Sequence, residues 1–142
     1  MRFIASLLFL FPAAAMAAVP PGPPPWSCSV LAACNAADMC VYLRALPMKF
    51  KLTQIEGDAK KYHLGGYDGY ERTALELPSS EDAKHFAETY SAVEPPPFIL
   101  IRNDMISDAH GFWLQSMSQR GNGQRILTEE KMLVACNSIR KR

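Results

Sequence analysis

Four cysteines set the narrowest bounds on what this 142-residue chain can fold into. Cys28, Cys34 and Cys40 follow one another at intervals of six residues near the start, and Cys136 stands 96 residues further on, close to the end. Four thiols allow three pairings, and an even count in an exported chain is the usual signature of two disulfides. The spacing holds no Cys-x-x-Cys knuckle, so zinc is not expected. Cys34 and Cys40 flank a five-residue turn and would face each other across a hairpin, which leaves Cys28 for Cys136. The second bond would tie the first strand of the domain to the last.

The start of the chain explains why oxidised cysteines are expected. Arg2 is followed by an apolar run from Phe3 to Phe11, then Pro12 and the small residues Ala15, Met16 and Ala17. A positive end, a short apolar helix and an Ala-x-Ala site are the parts of a secretory signal peptide, so 1–17 is read as one, with cleavage after Ala17. The apolar stretch falls short of the roughly 20 residues that span a bilayer, so no stable membrane insertion is expected. The expected location is periplasmic or secreted.

Cleavage of 17 residues leaves 125, enough for one domain with a modest core. Arg2 leaves with the signal, so 14 basic residues face 14 acidic ones. A balanced charge gives no reason to expect nucleic acid as a partner. Residues 18–25 hold Pro20, Pro21, Pro23, Pro24 and Pro25, a leader that extends as polyproline II, and 26–142 reads as the single globular domain.

Within that domain the pattern is mostly that of strands. Two apolar runs, Cys28 to Cys34 and Cys40 to Leu46, join through Asn35 and Asp38. Phe50 and Leu52 alternate with Lys49, Lys51 and Thr53, Tyr62 and Leu64 continue the alternation, and Thr73 to Leu77 resumes it. After Pro78, a helix is expected over 80–93: Ser79 or Ser80 caps it, Glu81 and Asp82 suit its positive end, and Ala83, Phe86, Ala87 and Tyr90 recur at helical spacing. Phe98 to Ile101 reads as a central buried strand, and Phe112 to Ser118 alternates again. Asn122-Gly123 predicts a tight two-residue hairpin. The stretch 128–139 fits either a helix or a closing strand. The fold class that follows is α+β: a small disulfide-tied, mainly antiparallel β-sheet domain with one packed helix near 80–93.

Motifs for catalysis are missing from this pattern. There is no Gly-x-Ser-x-Gly elbow, no close pair of redox cysteines, and Gly65-Gly66 and Gly121-Asn122-Gly123 lack the surroundings of a phosphate loop. Glu81 with His85, and Asp104 and Asp108 with His110, are near in sequence but match no metal-ligand pattern, so neither a metal nor another cofactor is expected. Five methionines remain after cleavage and read as core filler. The segment from Tyr62 to Tyr70 is the most recognition-like, because tyrosine offers large amphipathic area and glycine lets a loop conform. Tyr62, His63, Tyr67, Tyr70 and Trp113 are therefore the candidate binding residues.

Trp26-Ser27-Cys28, Cys34 and Cys40, followed by alternating strands and the single late Cys136, resemble small exported bacterial β-proteins of uncharacterised function. The resemblance implies a compact disulfide-tied β domain and names no activity. The helix at 80–93 and the six residues beyond Cys136 depart from it and speak against a plain barrel. The function expected is a non-enzymatic binding protein that recognises a protein or cell-envelope component. The alternative is a carrier whose apolar pocket is lined by Trp113, Phe98 and Phe112, and a third is a small hydrolase using His63 or His110.

Overall fold

The computed structural model describes residues 22–43, 48–66, 72–91 and 94–139. The expected signal peptide and the first half of the leader, 18–21, thus lie outside the described residues, as do Tyr67 and Tyr70. Ten strands are described: β1 (Trp26–Cys34), β2 (Cys40–Tyr42), β3 (Lys49–Gln54), β4 (Lys61–Gly65), β5 (Arg72–Leu77), β6 (Phe98–Arg102), β7 (His110–Gln115), β8 (Met117–Gln119), β9 (Arg125–Leu127) and β10 (Lys131–Ser138). One helix, α1 (Ser80–Thr89), lies between β5 and β6.

Seven strands form a closed barrel in the order β1-β3-β4-β5-β6-β7-β10, because β10 pairs back onto β1. The sheet is therefore closed, and this corrects the argument against a barrel. The helix does not obstruct closure, since it sits outside as the crossover between β5 and β6, the one parallel pair. A parallel neighbour needs a connection that returns along the sheet, and α1 supplies it. All other barrel pairs are antiparallel.

Alternation decides what fills the barrel. Trp26, Cys28, Val30, Phe50, Leu52, Tyr62, Leu64, Ala74, Leu100, Phe112, Leu114, Val134 and Cys136 form one buried cluster. Their intervening neighbours point outward. On β6 the neighbours are buried too: Ile99 and Ile101 pack beneath Ala83 and Ala87 of α1, with Met117 beside them. That double coverage is why Phe98 to Ile101 carries no polar alternation in sequence. The helix itself is shorter than expected. It ends at Thr89, with Tyr90 extended at the cap, before the proline run begins.

Two disulfides tie the barrel: Cys28–Cys136 and Cys34–Cys40. Both join directly opposed residues of antiparallel neighbours. Such bonds mark an oxidising, extracellular-type environment. Among the described residues no helix is long and apolar enough to cross a membrane.

The open choice for 128–139 is resolved as a strand, β10, whose Val134 and Cys136 reach inward. The hairpin at Asn122-Gly123 forms between β8 and β9, but its turn is wider than two residues. Arg120 and Gln124 close it, Gly123 N–H donates to Arg120 O at 2.9 Å, and in the turn only Gly123 takes a positive φ, of 86°. A type I turn followed by one left-handed glycine accounts for this geometry.

Candidate functional site

The barrel's two ends differ. At the end where β1 begins, Trp26 packs against Tyr62, His110 and Phe112, with ring centroids 5.5, 4.5 and 5.7 Å away. The leader's last residues seal this end. The indole N–H of Trp26 donates to the carbonyl of Gly22 at 2.9 Å, and His110 Nε2 meets the same oxygen at 2.9 Å. Arg102 lies 3.2 Å from His110 Nδ1. A guanidinium can only donate, so Nδ1 accepts and the ring proton sits on Nε2. Both nitrogens of His110 are thereby engaged in structure, and neither is presented as a base.

Tyr62 belongs to this sealed end, which corrects its reading as a surface residue. The two-residue period of β4 turns it inward, to 3% exposure, while His63 faces solvent. Its hydroxyl donates to the Glu76 carboxylate at 3.2 Å, with the Ala59 carbonyl 3.4 Å away, and Glu76 also meets Lys60 at 3.6 Å. Burial first, then the adjacent Glu76 charge and hydrogen bond, push the phenol up to about 12, against a lowering by Arg102.

The opposite end is open. At β1 the pairing with β10 shifts register between Val30 and Ala32. An irregularity of this kind reverses which side chains face inward. Above it, Ala32 and Cys34 pack outside with Leu133, whereas Ala33, Met39 and Val41 continue the inner wall. They enclose a cavity of about 550 Å³ floored by Phe98, Leu114 and Met132. Its far wall is the connection from β9 to β10. There Thr128 N–H and Oγ1–H both donate to Ser116 O at 2.9 Å, and Gln115 Nε2 donates to Thr128 O at 2.9 Å.

The near wall is a rigid hairpin, β1–β2. Beyond the Cys34–Cys40 bond, Asn35 Oδ1 accepts from Ala37 and Met39 N–H at 2.9 and 3.1 Å, and Asp38 takes a positive φ of 60°. Asp38 is bonded at 2.7 Å to Lys131, whose ammonium stands 4.4 Å above the Trp113 ring. On this hairpin and the start of β3, Met39 (70%), Val41 (70%), Tyr42 (61%) and Met48 (40%) are exposed. Met105 and Ile139 are the other exposed large apolar side chains among the described residues. Of the hairpin residues, Met39 and Val41 line the cavity, while Tyr42, next along β2, pairs with Ala32 on the other face.

The aromatic trio expected to line a carrier pocket is divided by the same alternation. Phe98 floors the cavity and Phe112 lies inside near the sealed end, but Trp113 is turned to the outer face, half-buried. The exposed hairpin tip was missed in sequence because Cys40 to Leu46 resembles any core strand. The usable signal was Met39, an apolar residue placed in a turn beside a disulfide. His85 and Glu81 are exposed on α1, and among the described residues no three His, Cys, Asp or Glu side chains converge as for a metal. No protein-family model, curated protein or solved structure matches the chain.

Proposed function

We propose that this is an exported, non-enzymatic binding domain that recognises a protein or cell-envelope component through the open end of its barrel. The observation that carries the reading is the joining of an apolar-floored cavity to the exposed Met39 and Val41 of a hairpin held by a disulfide. Ordering a surface before binding lowers the entropy lost on contact, and apolar residues left in water at a rigid tip gain most from being covered.

A photo-crosslinking residue at Val41 should give a discrete adduct in the exported fraction, and Met39→Asp should reduce it at least several-fold. The same residue at Lys61, near the sealed end, should give none. Equal labelling at both positions, or none at Val41, overturns the reading. A second reading, a carrier of a free apolar molecule, is favoured by the cavity volume, which falls in the range of small-ligand sites. Native mass spectrometry would then find a small bound mass and crosslinking would find no protein adduct.

A further inference from the structure

The five methionines of the globular region divide by place. Met117 (9% exposed) packs under α1 and Met132 is half-buried in the cavity floor, whereas Met39, Met48 and Met105 are exposed. Of the exposed three, Met39 alone lines the cavity. Its main chain is fixed: Met39 N–H donates to Asn35 Oδ1 at 3.1 Å, and Met39 O accepts from Asn35 N–H at 3.0 Å, one residue from the Cys34–Cys40 bond. The main chain therefore anchors this residue at the mouth.

We infer that the thioether of Met39 is an oxidation site that weakens binding at the barrel mouth, an inference that rests on the function proposed above. The oxidant is a peroxide. The sulfur lone pair attacks one peroxide oxygen, the O–O bond breaks and an S–O bond forms. Sulfur loses two electrons, and the peroxide leaves as water or alcohol. An apolar wall residue becomes a strongly polar sulfoxide. An apolar group entering the cavity must then strip water from the S–O dipole without offering it a donor, and affinity falls about tenfold or more. A sulfoxide reductase fed by a dithiol reverses the change, releasing water and forming a disulfide on the reductant.

The test exposes the full mature protein, disulfides intact, to graded hydrogen peroxide. Sulfoxide is mapped by peptide mass, and binding is read with the neutral fluorophore N-phenyl-1-naphthylamine. Met39 and Met105 should oxidise well before Met117 and Met132. Probe affinity should fall about tenfold in wild type and in Met105→Leu, but hold in Met39→Leu. Protection of Met39 to the level of Met117, or an equal loss in Met39→Leu, overturns the inference. Failure of the unoxidised protein to take up the probe also overturns this inference, whereas the reading of the mouth on which it rests stands or falls separately, on the Val41 adduct.

Discussion

Tyr62 shows how much a single residue's role depends on its neighbours across the sheet. Alternation alone places it on the same face as Leu64, and that much was legible. What makes it a core ring is the pairing of β1 and β4 on either side of β3, which lays Trp26 beside it. Its Glu76 contact is equally non-local, crossing from β4 to β5. The consequence is a pH dependence. In the unfolded chain the phenol ionises near 10, whereas in the barrel its pKa is about 12. The folded state holds the proton more tightly, so this contribution is fully present below pH 10 and is lost as pH rises through 12. The full shift corresponds to at most about 2 kcal/mol, and water reaching the hydroxyl reduces it. Urea melts between about pH 9 and 12 should show the decline in wild type, and Tyr62→Phe should flatten this limb while losing roughly 1 kcal/mol at neutral pH.

Among the elements, α1 was the most legible. Its cap, acidic first turn and apolar spacing are local facts: Asp82 N–H donates to Ser79 Oγ at 3.1 Å, and Ser79 Oγ–H donates to Asp82 Oδ2 at 2.7 Å. Ser79→Ala should cost about 1 kcal/mol in chemical denaturation while leaving probe uptake at the open end unchanged. A large loss of uptake would mean that α1 shapes the mouth. The β1–β2 hairpin was legible in outline, since two apolar runs joined through Asn35 and Asp38 invite it. Its exposed tip was not, because whether Val41 meets a facing layer depends on where the barrel stops. The register shift after Val30, which turns Ala33 and Val41 over the mouth, leaves no mark in residue type.

For the whole molecule, closure is the property that local sequence does not encode, since every strand of a barrel looks like a strand of an open sheet. The cysteines carry the missing information. Cys28 and Cys136 are opposed across the β1–β10 seam, 108 residues apart, so their bond holds together the pairing of longest range in the barrel. Cys34 and Cys40 are only six apart and join strands already adjacent through their turn. In the chain-entropy model the long bridge contributes about 5 kcal/mol and the short one about 2. Against a typical domain stability of about 5 to 15 kcal/mol, losing the first approaches unfolding, while losing the second is tolerated. Cys28→Ser with Cys136→Ser should therefore melt far below Cys34→Ser with Cys40→Ser. Binding should respond in a different way. The short-bridge variant should stay folded yet weaken at Val41 in the crosslinking assay, because the tip it releases is the wall of the mouth. Equal melting temperatures would show that packing between β1 and β10, rather than the covalent seam, keeps the barrel shut.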